Sequence, residues 1–540
     1  MRVVPTKEAI SLVHDGDTLL IGGSGGGHAV PENLILALED RFLNDGQPKG
    51  ITLLHPVGLG DGAGHGVDHL AYPDLLKRII AGAFVNSPKI AELAKEDQIQ
   101  AYNLPQGALS QLMREMAAGR PGLITHVGLH TFVDPRYSGG RQSKSAAEDL
   151  LEVIELDDKE WLFYKSLHVD VAFLRGTTAD EDGNITMEHE AVFGEMLSMA
   201  QATRNAGGVV IVQVARLAQR GTLSAKQVKI PGMLVDLVVV DPDQDQTYQT
   251  KFSPAYAGIL RVPLSEITPL PFDARKVIAR RAAMELFPGA VCNLGTGVST
   301  GIANVAAEEG FLDQILLTNE QGLIGGAPAS GMDAGASMNY SAMVDQPYQF
   351  DFYDGGGLDL AFLSFAQVDA QGNVNVSRFN GRIIGPGGFP NISQNAKKVI
   401  FSGTLTAGGL DIAWEDTNTR IIREGKFPKF VKQVEQITYN GNFGWQRGQE
   451  VLFITERAVF RLGPDGIELI ETAPGVDVER HIMAVMEFRP QVSPNLGEMD
   501  PRIFIPKPMA YSAELENQPR LNIPPRLRDW EHPDDSLGPQ

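Results

Sequence analysis

Three short stretches of the chain are almost entirely apolar: residues 18–21, 209–212 and 234–240. Continuous apolar runs of this length are typical of strands that are covered on both faces, as in a parallel sheet. Segments in which apolar residues recur every three or four positions alternate with these runs, for example residues 34–38 after Pro31. The pattern predicts an α/β fold with largely parallel sheets.

Two sequence landmarks recur in the second half of the chain. VDVAFL at 169–174 resembles LDLAFL at 358–363, and DGNI and QGNV follow them at the same spacing. A predicted strand that ends in a glycine-rich loop also occurs twice, at Gly22 and at Gly295. The first landmarks are 189 residues apart and the second 273, so the first half carries 84 extra residues between them. We therefore predict two duplicated α/β domains, with the active site at the interface between the halves.

A proline-rich stretch at 262–271 lies near the midpoint of the chain and is typical of a linker. Asp273 follows it as the N-cap of a predicted helix. We expect an N-terminal domain over residues 1–265 and a C-terminal domain over residues 272–515. The last segment, 516–540, is polar and rich in proline without periodicity, and it is predicted to be a tail.

Composition and charge narrow the possible functions. The chain has 540 residues and a formal net charge of −21, which argues against general binding of DNA or RNA because such proteins need a basic surface. The single cysteine, Cys292, forms no disulfide within the chain and fits a reducing compartment, so we expect a cytoplasmic protein. No signal peptide is evident, and no apolar run approaches the ~18 residues of a membrane span. The 58 glycines predict many tight turns.

The glycine-rich loop at 295–301 is one candidate for ligand binding. It lies between a predicted strand and a predicted helix, where free N–H groups and the positive end of the helix dipole favour phosphate. Glu320 lies 19 residues after Gly301, close to the spacing at which a dinucleotide-binding fold places an acid on a ribose hydroxyl. An NAD(P)-dependent dehydrogenase is therefore an alternative.

Three other patterns have both a functional and a structural explanation. Residues 22–26 match the G-x-S-x-G nucleophile elbow, yet a glycine turn against a neighbouring segment explains them as well. His126 and His130 have a spacing seen in metal sites, but Gly128 between them argues against a helix. Cys292 is expected to be a small buried apolar residue.

Glu320 also lies in a second pattern, a turn at the end of a predicted strand, TNEQG at 318–322. A solvated turn acid is the ordinary explanation. The chain holds two related turns, NLPQG at 103–107 with an amide near the place of the acid, and GPGGFPN at 385–391. Both turns are able to point polar groups into a cleft, which favours a site built around Glu320.

Together these motifs resemble the family I coenzyme A transferases, in their fused single-chain form, over about residues 1–515. The motifs that carry the resemblance are GGSGGGHAVPENL (22–34), YNLPQG (102–107), GLHTFVDPR (128–136), NLGTGV (293–298), NEQGLIGG (319–326), QFDFYDGGGLDLAFL (349–363) and GPGGFPNIS (385–393). Gln321 departs from the asparagine usual in the 3-ketoacid branch. GLHTFVDPR and the long aromatic run look more like the propionate and acetate branch.

The resemblance implies a catalytic role for one acid and three neighbours. Glu320 is expected to attack the thioester of an acyl-CoA and then carry CoA as a glutamyl thioester in a ping-pong reaction. Gln106, Gly387 and Gly388 are expected to donate hydrogen bonds to the oxyanions that form. Gln106 has no charge, so it does not raise the pKa of the acid as a second carboxylate would.

The resemblance also implies ligands and partners. Gly295, Thr296, Gly297 and Gly388 are expected to line the coenzyme A channel. Acyl-CoA and small carboxylic acids are the expected substrates, with no metal and no permanently bound cofactor, and a homo-oligomer, dimer or tetramer, is expected. Lys397 and Lys398 are candidates for the phosphates of CoA, although a solvated surface pair explains them too.

Two further alternatives remain within the resemblance. An acyl-CoA hydrolase needs only water in place of the acceptor acid. A transferase subunit of a lyase or decarboxylase complex would be active only with partner chains, and the two-half length disfavours it. The acyl preference is not readable from the sequence.

Overall fold

A computed structural model describes residues 2–263 and 267–519 of the chain. The helices, in chain order, are α1 (Thr6–Ala9), α2 (Glu32–Asp45), α3 (Pro88–Lys95), α4 (Gln106–Ala117), α5 (Met196–Asn205), α6 (Ala274–Ala283), α7 (Gly301–Glu308), α8 (Gln346–Asp354), α9 (Phe389–Gln394), α10 (Gly441–Gln446), α11 (Val478–His481) and α12 (Ser512–Glu516). Over these two ranges, no helix has the length and apolar character needed to cross a membrane.

The strands of the first half end at residue 240. They are β1 (Arg2–Val3), β2 (Thr18–Ile21), β3 (Ile51–His55), β4 (Leu76–Ala81), β5 (Gln100–Asn103), β6 (Gly122–Thr125), β7 (Leu151–Leu156), β8 (Lys159–Lys165), β9 (Val171–Arg175), β10 (Thr178–Asp180), β11 (Ile185–Thr186), β12 (Val209–Val214), β13 (Arg216–Ala218), β14 (Val228–Ile230) and β15 (Leu237–Val240).

The strands of the second half begin at residue 291. They are β16 (Val291–Leu294), β17 (Leu316–Thr318), β18 (Leu323–Ile324), β19 (Ala327–Pro328), β20 (Ser337–Met338), β21 (Ala342–Met343), β22 (Leu360–Ser364), β23 (Gln367–Val368), β24 (Val374–Asn375), β25 (Arg378–Phe379), β26 (Arg382–Ile383), β27 (Lys398–Ser402), β28 (Thr406–Ala407), β29 (Asp411–Glu415), β30 (Asn418–Arg423), β31 (Phe427–Pro428), β32 (Glu450–Ile454), β33 (Ala458–Gly463), β34 (Gly466–Thr472) and β35 (Gln491–Glu498).

The first half is built on an eight-stranded parallel sheet in the order β1-β15-β12-β9-β2-β3-β4-β5. Successive side chains of a strand point to opposite faces, and both faces of β2 are covered. Leu19 and Ile21 pack in the core beneath α2, whereas Leu20 packs in the core on the other face, which includes residues of α4 and α5. This double burial is why the strand has no alternating polar positions.

The second half is built on a ten-stranded sheet in the order β21-β18-β17-β16-β22-β27-β32-β33-β34-β35. Its five central strands, β17 to β32 in that order, are parallel. Cys292 and Phe362 pack against residues of α6 and α7 on one face, and Phe401 and Phe453 lie in the core that includes residues of α8 and α9 on the other. The predicted α/β class with largely parallel sheets is confirmed.

The two sheets repeat the same strand order at their centres. The series β15-β12-β9-β2-β3 corresponds to β32-β27-β22-β16-β17. The two predicted landmarks therefore fall on equivalent strands, β9 with β22 and β2 with β16. The extra residues of the first half include α3, the strands β4 and β5 at one end of the sheet, and the three-stranded sheet β6-β8-β7.

The two halves are joined by contacts between α4 of the first half and α8 of the second. Gln111 Nε2 donates to Asp351 (3.1 Å) and to Asp354 (2.8 Å). Arg114 forms a bidentate ion pair with Asp351, at 2.8 and 2.6 Å. Burial raises the pKa of Asp354 to about 7, although donors from Asn391 and Gln111 oppose the rise.

The linker and the tail lie only partly within the described residues. Asp273 caps α6 as predicted, because its carboxylate accepts the N–H groups of Arg275 (2.8 Å) and Lys276 (3.1 Å). Residues 264–266 and 520–540 are outside the described ranges. The predicted bounds of the two domains and the tail therefore stay predictions.

Gly26 offers a test of how tightly the two halves fit together. It has a φ of +76°, and an added Cβ would lie 2.2 Å from the carbonyl oxygen of Met332 in the second half. We expect Gly26→Ala to force these loops apart and to lower the midpoint of thermal unfolding. The control is Gly46→Ala, which has a φ of +67° and no atom within 4 Å of the added Cβ. It carries only backbone strain of about 1–2 kcal/mol. Equal losses in the two variants would contradict the steric argument.

Candidate active site

Glu320 lies in a tight turn directly after β17, at the carboxyl end of a central strand. The side-chain oxygen of Asn319 accepts the N–H of Gln321 (2.8 Å) and shapes the turn. Gly322 has a φ of +102°, and an added Cβ would lie 2.0 Å from the carbonyl oxygen of Val344. The E-x-G pattern therefore has a steric cause: only glycine fits where the turn meets the neighbouring backbone.

Neutral amides surround the carboxylate of Glu320. Asn293 Nδ2 lies 3.5 Å from Oε2, and Gln321 Nε2 lies 3.5 Å from Oε1. Asn293 is held in turn by the hydroxyl of Tyr353 (3.2 Å), which also hydrogen-bonds to Thr318 Oγ1 (2.8 Å). Burial raises the pKa of Glu320, and the donors from Asn293 and Gln321 offset only part of the rise.

The first half contributes Gln106, the first residue of α4. Its side chain is buried, and its Nε2 has no hydrogen-bond acceptor within residues 2–263 and 267–519. Its backbone N–H donates to the carbonyl oxygen of Gly387 (2.9 Å), and the next N–H, that of Gly107, donates to Asn391 Oδ1 (3.0 Å). The start of α4 is thereby tied to the second half.

The turn at 385–388 faces Gln106 across the boundary between the halves. The N–H of Gly387 donates to the carbonyl oxygen of Gly82 (2.9 Å), so that group is already hydrogen-bonded. The N–H of Gly388 has no acceptor among the residues that the structure describes. Of the two backbone N–H groups predicted for this turn, only that of Gly388 is free to meet a ligand.

One cavity of about 640 Å³ brings most of the predicted site residues together. Gln106 and the glycine turn at 24–26 line it from the first half. Its lining from the second half includes Gly295, Thr296, Glu320, Gly387 and Gly388. Gly297 is not part of the lining, and an added Cβ there would lie 2.9 Å from Oγ of Ser364, which does line the cavity.

A smaller chamber of about 70 Å³ adjoins this cavity at Glu320. Glu320, Gln321, Thr296 and Ala334 line both spaces. The walls that belong to the chamber alone include Leu317, Leu323, Pro328, Ala329 and Ser337. A ligand bound at the Glu320 carboxylate can therefore extend into the large cavity on one side and into the small chamber on the other.

The other sequence candidates have structural roles. Lys397 pairs with Asp359, and Lys398 pairs with Glu285 and Glu450. Both lysines are at the amino end of β27, whereas the cavity lies at the carboxyl ends, so they do not line it. Of the two explanations that the sequence left open, ligands of the CoA phosphates or a surface pair, this position favours the pair.

The glycine, histidine and cysteine patterns have structural explanations as well. The glycine turn at 22–27 packs closely against neighbouring segments, and Gly26 packs against Met332 of the second half. His126 contacts Trp161 and His130 contacts Phe443, in separate aromatic pairs. Cys292 is fully buried, and burial raises its pKa.

Sequence reasoning did not assign roles to two residues that touch the site. Asn293 opens the NLGTGV motif, but its contact with Glu320 depends on the pairing of β16 with β17. Tyr353 lies in the long aromatic run and reaches the site only because α8 packs beneath the sheet. Neither contact could be predicted from the spacing of residues along the chain.

Comparison with known proteins agrees with this geometry. The family model described as coenzyme A transferase matches residues 4–241. The acetate CoA-transferase YdiF of Escherichia coli K12 is 45% identical over 510 residues, which cover 94% of this chain and 96% of the relative. The caffeate CoA-transferase of Acetobacterium woodii is 44% identical over 514 residues, which cover 94% and 98%.

Solved structures give the same result. The apoenzyme of the acyl-CoA transferase YdiF from Escherichia coli O157:H7 superimposes with a TM-score of 0.91 at 44% identity, covering 94% of this chain and 97% of that one. A YdiF thioester complex with CoA gives a TM-score of 0.90. These relatives support CoA transfer and not the dehydrogenase or hydrolase alternatives. The chain belongs to the family I coenzyme A transferases.

Proposed function

We propose that Glu320 is the nucleophile of the transfer. Its carboxylate attacks the thioester carbonyl of an acyl-CoA, and the C–S bond breaks to give an acyl-glutamyl anhydride and CoA thiolate. The thiolate then attacks the glutamyl carbonyl, which releases the first carboxylic acid as its anion and leaves a glutamyl-CoA thioester. An acceptor carboxylate reverses both steps, so the thioester bond energy is retained throughout.

One observation carries this proposal: Glu320 shares a cavity with two polar donors that have no acceptor among the described residues. These are Gln106 Nε2 and the N–H of Gly388. Each attack turns a carbonyl oxygen into an oxyanion, and one preorganised donor is typically worth about 3–4 kcal/mol in such a step. Gly387 then acts by shaping the turn, because its own N–H is occupied by Gly82.

We assign the large cavity to coenzyme A. Gly295 and Thr296 follow β16 and line its wall, and Gly388 lines it from the opposite side. The glycines leave room for the narrow pantetheine arm to approach the backbone. Gly297 contributes to this wall by leaving room for Ser364, since an added Cβ would lie 2.9 Å from Ser364 Oγ.

We assign the small chamber to the acyl group. The chamber is much smaller than the main cavity, about 70 Å³ against about 640 Å³. Its size favours a short acyl group such as acetyl or propionyl over a bulky aromatic one such as caffeoyl. The names of the relatives include both kinds of acid.

The proposal also covers the oligomeric state of the protein and its cellular compartment. We propose a homo-oligomer in a reducing, cytoplasmic compartment. Large exposed apolar side chains support an interface between copies, among them Met233 at 80% and Ile259 at 60% exposure. The buried single cysteine supports the compartment.

The nucleophile is tested by incubation with acetyl-CoA alone. We expect intact-protein mass spectrometry to show a gain of one CoA less one water, which borohydride removes by reducing the thioester. Glu320→Ala and Glu320→Gln should form no adduct. Asp61→Asn is the matched control, because Asp61 is the other carboxylate that lines the cavity. An adduct in the Glu320 variants would end the proposal.

Asn293 is predicted to set the pH range of activity. Asn293→Leu removes a donor to the Glu320 carboxylate, so the pKa, already raised by burial, should rise further. Because the ionised carboxylate attacks, the acidic limb of the kcat/KM profile should move to higher pH. Thr318→Val removes a hydrogen bond to Tyr353 but none to Glu320, so the acidic limb of its kcat/KM profile should stay at the same pH. A limb that stays in place in Asn293→Leu would contradict the assignment.

The chamber is predicted to set the acyl preference. Leu323→Ala should raise the ratio of butyryl-CoA to acetyl-CoA activity, and Ala329→Val should lower it, each by about tenfold. Leu360→Ala is the control, since Leu360 is a core leucine outside the chamber and should lose stability without changing the ratio. Unchanged ratios in both chamber variants would place the acyl group elsewhere.

A further inference from the structure

Coenzyme A carries several negative charges on its phosphates, and this chain is strongly acidic. The cavity assigned to CoA has three charged residues in its described lining: Asp61, Glu320 and Arg382. Arg382 is the single cation among them. A ligand with phosphates therefore meets one positive group on this wall.

The position of Arg382 follows from a tight hairpin. β25 and β26 are joined by Asn380 and Gly381, which both have positive φ, as a two-residue hairpin turn requires. Phe379 lies directly opposite Arg382, so the two side chains share a face, and both line the cavity.

The opposite face of the hairpin carries Arg378 and Ile383. Ile383 is buried in the core of the first half, and Arg378 lines a separate surface groove with Arg141 and Lys144. Ile384 continues the strand, and its carbonyl oxygen accepts the N–H groups of Phe84 (2.7 Å) and Val85 (3.0 Å). The hairpin, which belongs to the second half, is thus anchored to the first half, with Arg382 on its cavity face.

Within the described ranges, the guanidinium of Arg382 makes no ion pair and no hydrogen bond. Glu435, which contacts the hairpin, is engaged by the N–H of Asn380 (3.0 Å) and by Gln367 (3.3 Å). A free guanidinium offers paired donors that match a phosphate. The ring of Phe379 beside it offers an apolar surface to a flat base.

We propose that Arg382 binds the phosphates of coenzyme A, with Phe379 packing against the adenine. The inference rests on the proposed function, since it takes the thioester end of CoA to be at Glu320. It makes the β25–β26 hairpin the element that distinguishes CoA from shorter thioesters. Arg382 acts on binding at a distance from the reacting atoms and takes no part in the covalent steps.

The test compares three donors: acetyl-CoA, acetyl-3′-dephospho-CoA and acetyl-pantetheine. Arg382→Ala should lower kcat/KM for acetyl-CoA by about ten- to a hundredfold and leave acetyl-pantetheine unchanged. The kcat/KM of Arg382→Lys for acetyl-CoA should lie between those of the unaltered protein and Arg382→Ala, because lysine keeps the charge without the paired donors. Arg378→Ala, on the other face of the hairpin, should match the unaltered protein.

The dephosphorylated donor identifies the phosphate. If the loss in Arg382→Ala disappears with acetyl-3′-dephospho-CoA, the contact is to the 3′-phosphate; if it persists there and disappears only with acetyl-pantetheine, the contact is to the pyrophosphate. Both outcomes support the inference. An equal loss with all three donors, or no loss with acetyl-CoA, overturns it. The Glu320 adduct is measured in parallel, so failure of the nucleophile assignment is seen separately as a missing adduct in the unaltered protein.

Discussion

Backbone contact between the two halves is the constraint on which the site depends. The carbonyl oxygen of Gly387 accepts the N–H of Gln106, and the N–H of Gly387 reaches the carbonyl oxygen of Gly82, both at 2.9 Å. At Gly385 an added Cβ would lie 2.6 Å from Ala83 Cα. Such an approach is open only to glycine. This contact holds the side-chain amide of Gln106 and the N–H of Gly388 beside one cavity. Neither of these two donors takes part in the hydrogen bonds that join the halves.

The side chains that contact the Glu320 carboxylate are neutral, and this determines the electrostatics of the site. A guanidinium beside Glu320 would lower its pKa and make its carboxylate a poorer nucleophile. The carboxylate instead meets the amides of Asn293 and Gln321, which orient it at long range while burial keeps its pKa raised. In the proposed function, the phosphates of CoA meet Arg382, which lies on the β25–β26 hairpin and not on the turn that carries Glu320. In this proposal, binding and nucleophilicity belong to different elements of the fold.

A structural feature of this protein could be predicted from the sequence when it depends only on residues that are close together along the chain. Buried strands, the Asp273 cap and the duplicated landmarks were predictable because each reflects a short-range rule of burial or capping. Glu320 was predicted from its own turn, whose glycine is sterically required, together with the related turns at 103–107 and 385–391 and the family resemblance. The contact of Asn293 with Glu320 was not predictable, because strand pairing creates it. For Lys397 and Lys398 the sequence left two explanations open, ligands of the CoA phosphates or a surface pair, because spacing along the chain does not say which end of a strand faces the cavity.

The difference between the two copies explains why the duplicated fold has one acid site rather than two equal ones. After β3 the first half continues into β4 and β5, which extend the parallel sheet. Their carboxyl ends lead directly to Gly82 and to Gln106, the groups that meet the second half. After β17 the second half turns back at once into the antiparallel β18, and Glu320 lies in that turn. One copy therefore supplies a rigid acid on a short turn, and the other supplies the extended edge that faces it.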